Sequence, residues 1–296
     1  MTVNCHAADH HSEFAGRARG YDNSRMSRVP LIVVSDLDGS LLDHATYSFE
    51  AARPALDRLR DADVPLVLCT SKTRAEVEPI RAVLDNAHPF IVENGGGVCI
   101  PTGYFPFEIE GAERRGDYVV VPLGDRYAEL TGALARASRA SGVSVRGFAD
   151  MTDDEVAAET GLTSAEARLA RQREFDEPFV VLEPAREPEL LAAIDREGKR
   201  WTAGGRFHHI TGANDKAGAV RLLVALYRRQ LGAVRTVGLG DAPNDAPFLH
   251  VVDLPILIAS PSVDRLRALV PGGRVTTLEG PAGWNAAVSA VLDERR

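Results

Sequence analysis

The chain has 296 residues, 45% hydrophobic and 26% charged, with a formal net charge of −8. This is the balance of a folded globular protein with room for one large domain or two ordinary ones. The acidic balance speaks against a general nucleic-acid binder, which needs a basic surface. No apolar run approaches the roughly 18–20 residues that span a bilayer, so no membrane partner is expected either. Cys5, Cys69 and Cys99 fall in no paired or zinc-like spacing, which makes a reducing cytoplasm the simplest compartment. Cys69 and Cys99 read as small apolar side chains packed in a core.

Residues 1–28 are polar throughout and contain no apolar signal core. They read as a flexible tail, with His6, His10 and His11 solvated rather than bound to metal. From Leu31 onward strands and helices alternate. "LIVVSD" is a short, continuously apolar strand of the kind covered on both faces of a parallel sheet. "FEAARPALDRLRDAD" follows with apolar residues at helical spacing, then "VPLVLC" (Val64–Cys69), a second buried strand ending in Thr70 and Ser71. Thr73 and Glu76 form a capping box for a helix with Val77, Ile80 and Leu84 on one face. "PFIVENGGG" is a third strand entering a glycine loop. The rhythm predicts an α/β fold, a doubly wound, Rossmann-like parallel sheet with right-handed crossovers.

After Pro101 the rhythm changes. "DYVVVPLG" reads as a strand, Arg126–Ala140 as a helix, and Thr152/Glu155 and Thr163/Glu166 as two further capping boxes. "FVVLEP" is another strand and "RWTAGGRFHHITG" a strand pair or return crossing. The expected organisation is a core of residues 29–101 and 211–296, with 102–210 an inserted α/β cap domain. Beyond Gly212 the βα pattern resumes in a helix over "NDKAGAVRLLVALYRRQ" and strands at "VRTVGLGD" and "LPILIA".

Four features converge at the strand ends, where ligands of such sheets bind. Asp36 and Asp38 end the first strand, and Thr70 and Ser71 the second. Lys216 begins a helix, and Asp241 and Asp245 follow a later strand. Several carboxylates in one crevice repel one another unless a divalent cation joins them, and hard oxygen donors favour Mg²⁺. A carboxylate beside such an ion stays ionised and can attack phosphorus. A second carboxylate two residues on can protonate the leaving alkoxide and then deprotonate water. A hydroxyl and a lysine can hold the phosphoryl oxygens as charge moves.

These motifs, in this order, resemble the haloacid dehalogenase superfamily of phosphotransferases. The resemblance implies Asp36 as nucleophile, Asp38 as general acid/base, Thr70 (or Ser71) as the hydroxyl motif and Lys216 as the lysine motif. It implies an Mg²⁺ held by Asp36, the backbone carbonyl of Asp38 and Asp241, with Asn244 and Asp245 behind them. Ser40 stands in "DLDGS" where threonine is commoner in that superfamily. The stretches "SKTR", "ENGGG", "REFDEPFV" and "GGRFHHITGANDK" are similar to the mannosyl-3-phosphoglycerate phosphatase family, through nearly all of 31–290. That implies a phosphorylated sugar-glycerate as substrate.

Such a substrate carries a phosphate, a carboxylate and a sugar. Ser71, Lys72 and Arg74 lie at a helix start, where backbone amides favour anions, and Asn94, Gly95 and Gly96 form a loop a ligand can approach. In the insertion Arg168, Glu174, Asp176, Arg206 and His208 are candidates for carboxylate and hydroxyl contacts, with His209 read as structural. Rival readings are a phosphatase of another sugar phosphate such as sucrose phosphate, a phosphosugar mutase, or a binding protein that has lost catalysis.

Overall fold

The computed structural model describes residues 29–204 and 207–295. The tail expected over 1–28 and Arg206 lie outside the described residues. In chain order the first half contains β1 (Leu31–Ser35), α1 (Arg53–Asp61), β2 (Leu66–Cys69), α2 (Arg74–Val83), β3 (Phe90–Val92), β4 (Gly97–Pro101), β5 (Glu113–Arg115) and β6 (Tyr118–Pro122). Then come α3 (Tyr127–Ser141), β7 (Val145–Gly147), α4 (Asp153–Thr160), α5 (Ser164–Ala170), β8 (Asp176–Val181), α6 (Glu187–Arg196), β9 (Arg200–Gly204) and β10 (Phe207–Thr211). The chain closes with α7 (Lys216–Leu231), β11 (Arg235–Gly240), α8 (Ala246–Leu249), β12 (Leu254–Ala259), α9 (Val263–Leu269), β13 (Arg274–Glu279) and α10 (Gly280–Asp293).

Among the described residues the strands form two sheets. The larger has the order β13-β12-β11-β1-β2-β3-β4-β6-β5, and the smaller β7-β8-β10-β9. Strands from β13 to β3 run parallel. Except in the exposed edge strand β13, their apolar runs are buried on both faces, since successive side chains point to opposite sides. Leu31 and Val33 enter one core with Leu68, Val237 and Trp284. Ile32 and Val34 enter the other with Val67, Val220 and Leu257. The three threonine capping boxes all form, at Thr73, Thr152 and Thr163.

One boundary differs from the expectation. β6 extends the large sheet antiparallel to β4, with Cys99 opposite Val120, and β5 follows antiparallel to β6. The core sheet therefore runs to Pro122, not Pro101, and the separate small sheet starts only after α3. The β-branched run in "YVVVP" marks a strand but carries no information about which sheet it joins. Val120 and Val121 fill one core each. Among the described residues no helix is long and apolar enough to cross a membrane.

The strand order reverses at β1, which has β2 on one side and β11 on the other. In an open parallel sheet that reversal leaves a crevice at the carboxyl ends. Ser35 is opposite Leu68 and Leu239, so the residues after each strand emerge side by side.

Candidate active site

Asp36 leaves β1 with its N–H donated to the Leu239 carbonyl at 2.9 Å. Behind it, Trp284 Nε1 donates to Ser35 Oγ at 2.9 Å, and that hydroxyl donates to the Asp36 carbonyl at 2.7 Å. Asp36, Asp241 and Asp245 each offer a carboxylate oxygen within 4.8 Å of the other two. Lys216 Nζ donates to Asp36 Oδ1 at 2.8 Å and to Asp245 Oδ1 at 2.7 Å. The other oxygen of Asp245 accepts the N–H groups of Asp241 and Ala242, at 3.0 and 3.2 Å. Ser40 Oγ donates to Asp241 Oδ1 at 3.2 Å. Residues 180 positions apart in sequence thus meet because β1, β11 and the start of α7 share one sheet edge.

Burial and mutual repulsion govern the charges here. Burial, then the charge of Asp245, hold the Asp36 carboxyl well above its ordinary value, with Lys216 pulling the other way. Asp241 is pushed up to about 7, again by burial and then by Asp245. For Lys216, burial opposes the charge, but Asp245 and Asp36 outweigh it and hold the ammonium well above its ordinary value. Two of three carboxylates pushed toward protonation, all with hard oxygen donors, are the environment a divalent cation relieves. The donor set fits Mg²⁺. Asp36 Oδ2 and Asp241 Oδ2 lie outside the described side-chain hydrogen bonds, whereas both Asp245 oxygens are spent on Lys216 and backbone amides.

The Asp38 side chain is paired outside this cluster, although its charge adds to the repulsion at Asp36 and Asp241. Its Oδ2 is 2.9 Å from Lys72 Nζ, and its Oδ1 is buried without a hydrogen-bond partner. Both residues line a cavity of about 360 Å³ between the large sheet and the insertion. Tyr47, Ser71 and Glu76 complete its core side; Phe148, Glu159, Thr160, Leu162, Arg173, Pro178, Phe207 and His209 come from the insertion. Thr70, 1% exposed, lies at the end of β2, and its Oγ1 accepts the Lys72 N–H at 3.2 Å.

Several expected contacts sit elsewhere. Arg74 pairs with Glu174 (3.0 Å) and Glu78 (2.9 Å), and Arg115 also binds Glu174. Arg168 is exposed and paired with Asp153. Asn244 is exposed on the turn before α8. Gly95 (φ +88°) and Gly96 do not open onto the cavity. A Cβ on Gly95 would stand 2.2 Å from the Asp215 carbonyl oxygen, and one on Gly96 2.3 Å from Phe175 Cβ. The glycine loop thus packs against the start of α7 at Gly95 and against the insertion at Gly96. Phe175 is buried in the core cluster of Phe90 and Val92. Glu93, its carboxyl raised by burial to about 8, accepts the N–H groups of Glu174 and Phe175. Asp176, fully buried, takes Asn94 Nδ2 at 3.2 Å, Arg173 Nη1 at 3.1 Å and His209 Nδ1 at 2.9 Å. "REFDEP" therefore latches core to insertion through its acidic residues.

Arg173, which the sequence does not single out, and His209, read there as structural, both line the cavity. The signal was present in the strand period: Phe207 and His209 share one face of β10. His208 takes the opposite face, stacks on Phe179 at 5.5 Å and meets Glu187 at 3.1 Å. Of the two histidines, His209 lines the cavity and His208 does not.

Known proteins agree with this geometry. A family model described as haloacid dehalogenase-like hydrolase matches residues 33–104. The chain is 41% identical over 267 residues to a glucosyl-3-phosphoglycerate/mannosyl-3-phosphoglycerate phosphatase of Methanococcoides burtonii, covering 88% of this chain and 97% of that one. It is 38% identical to a protein of the same name from Persephonella marina, covering 89% and 98%. A mannosyl-3-phosphoglycerate phosphatase of Pyrococcus furiosus is 37% identical over 77% of this chain and 90% of its own. In fold, a phosphatase of the haloalkanoate enzyme superfamily from Bacteroides thetaiotaomicron superposes with a TM-score of 0.63 at 17% identity, over 91% of this chain and 96% of that one. The chain therefore belongs to the haloacid dehalogenase superfamily and, within it, to the mannosyl-3-phosphoglycerate phosphatase family of phosphoric monoester hydrolases.

Proposed function

We propose that the enzyme hydrolyses glucosyl-3-phosphoglycerate and mannosyl-3-phosphoglycerate to the glycosylglycerate and phosphate, with Mg²⁺, in the cytoplasm. The observation that carries the reading is the meeting of Asp36, Asp241, Asp245 and Lys216, with Asp38, two residues after Asp36, lining a cavity. Two of the relatives are named for both glycosyl substrates.

In this reading Asp36 attacks phosphorus, the ester P–O bond breaks, and Asp38 gives its proton to the leaving glycerate oxygen. Asp38 then takes a proton from water, which attacks the aspartyl-phosphate, releases phosphate and restores Asp36. Asp36 and Asp241 would hold the Mg²⁺, with Asp245 behind them fixing Lys216 and the backbone of Asp241. Bound there, the ion supplies positive charge that lets one anion approach another. Lys216 and Thr70 steady the phosphoryl oxygens. The insertion acts as a cap that shields the cavity from bulk water and opens for release.

The test is phosphate release from a panel assayed with and without Mg²⁺: both glycosyl-3-phosphoglycerates, 3-phosphoglycerate, glucose 6-phosphate and sucrose phosphate. The proposal expects both glycosyl-3-phosphoglycerates to lead the panel by at least roughly tenfold in kcat/KM, only with the ion. Equal or higher efficiency on the hexose phosphates or sucrose phosphate rejects the substrate assignment.

A further inference from the structure

Asp38, which in the proposed chemistry serves the ester oxygen, lines the cavity on the core side. The wall next to Asp38 carries three basic side chains, Lys72, Arg173 and His209, along with the carboxylates of Glu76 and Glu159. Lys72, its side chain 13% exposed, stands 2.9 Å from Asp38 Oδ2 with its ammonium 5.0 Å from the Tyr47 ring centroid. Arg173, with a side chain 7% exposed, comes from the insertion and donates to the Ser71 carbonyl of the core at 2.9 Å. It also donates to the Ala170 carbonyl and lies over the Phe148 ring, so its guanidinium is fixed on several sides. His209 stands on the same wall.

Arg173 and His209 share one support. Asp176, 0% exposed, receives Arg173 Nη1 on one oxygen and His209 Nδ1 on the other. A carboxylate accepts only, so Nδ1 carries its proton toward Asp176 and Nε2 is left for a second partner. Arg173 Nη2 lies outside the described bonds. A buried anion that spends its charge holding two basic side chains at a cavity wall makes a preorganised receptor, since little rotamer freedom remains to be lost on binding.

We propose that Arg173 and His209, with Lys72, form the receptor for the non-transferred carboxylate of the substrate, and that Asp176 is its positioning residue. The carboxylate recognised is one close to the phosphate ester oxygen, as in a phosphoglycerate, because Lys72 adjoins Asp38, which serves that oxygen. Arg173 bridges insertion and core, so carboxylate binding also favours the closed cap. This rests on the proposed chemistry at Asp36 and Asp38 but not on the identity of the sugar.

The test is the ratio of kcat/KM for 3-phosphoglycerate to that for glycerol 3-phosphate, which lacks the carboxylate. The wild-type ratio is expected to exceed about 10, and Arg173→Met to bring it near 1, chiefly through a rise in KM for 3-phosphoglycerate. Arg173→Lys recovers part of the ratio, because the charge returns without the fork. If Arg173→Met proves unfolded by circular dichroism, His209→Gln decides, with a several-fold fall in the ratio expected. A wild-type ratio of 1 or less, or a folded variant that loses both substrates equally, overturns the receptor. Failure to hydrolyse glycosyl-3-phosphoglycerates alone overturns the sugar assignment and leaves this ratio to judge the receptor.

Discussion

The Lys216 ammonium lies 2.8 Å from Asp36 Oδ1, with the lysine side chain 1% exposed. Two buried carboxylates, Asp36 and Asp245, face that single charge. Lys216→Met leaves them opposed without a cation, at a cost of about 3–5 kcal/mol for a broken buried pair. The expected outcome in thermal melts is a large loss of stability, of which added Mg²⁺ restores more in the variant than in the wild type. Turnover falls by roughly 10²–10³-fold. A variant as stable and active as the wild type contradicts the arrangement.

Ser40 Oγ is the one side-chain donor to the Asp241 carboxylate, at 3.2 Å, among the described residues. Ser40→Ala removes a hydrogen bond worth about 1 kcal/mol and frees the carboxylate to rotate. Groups that orient metal ligands change metal affinity by about 10–100-fold when lost. Titrating activity against Mg²⁺ is expected to give a half-saturating concentration at least about tenfold higher, with kcat at saturation little changed. An unaltered titration curve counts against Asp241 as a ligand.

Gly95→Ala places a methyl group 2.2 Å from the Asp215 carbonyl oxygen, at a φ of +88°. Asp215 caps α7 by accepting the Gly218 N–H at 2.7 Å, and Lys216 follows it directly. The strain is expected to cost about 2 kcal/mol or more and to shift the lysine away from Asp36. Urea melts and steady-state assays check both. The prediction is a drop in kcat of more than tenfold in protein that is still folded at low urea.

Glu177 lies in β8, where Tyr127 Oη donates to it at 2.7 Å and the Ala149 N–H at 2.9 Å. Burial raises its carboxyl from 4.5 to about 7 in the folded chain. The folded protein therefore keeps a proton that the unfolded chain releases, so this group's contribution to stability falls as pH rises through that window. The full effect is up to about 3 kcal/mol. Denaturant midpoints measured at pH 4.5, 6 and 8 should decline more steeply in the wild type than in Glu177→Gln. Parallel curves contradict the assignment.

The central sheet was legible because parallel strands buried on both faces leave unbroken apolar runs, as in Leu31–Val34, and their ends carried the acidic motifs. Thr73, Thr152 and Thr163 announced their helices through side-chain chemistry that acts within four residues. Partnerships over long distance were not legible. Nothing local in "YVVVP" says that it pairs with β4. Glu174 and Asp176 looked like ligand contacts because their charge was visible and their burial was not. Their partners, Arg74, Arg115, Asn94 and His209, are up to 100 positions away. The partners of Asp245, Lys216 on one oxygen and backbone amides on the other, were likewise out of reach of local sequence.

The most direct test of the account is whether phosphorus passes through Asp36. Wild type and Asp36→Asn are mixed with glucosyl-3-phosphoglycerate and Mg²⁺, quenched in acid during turnover, and digested. Mass spectrometry of the peptide containing Asp36 is expected to find one added phosphoryl group in the wild type and none in Asp36→Asn. Sustained phosphate release while that peptide never gains the group, or full activity in Asp36→Asn, contradicts the mechanism.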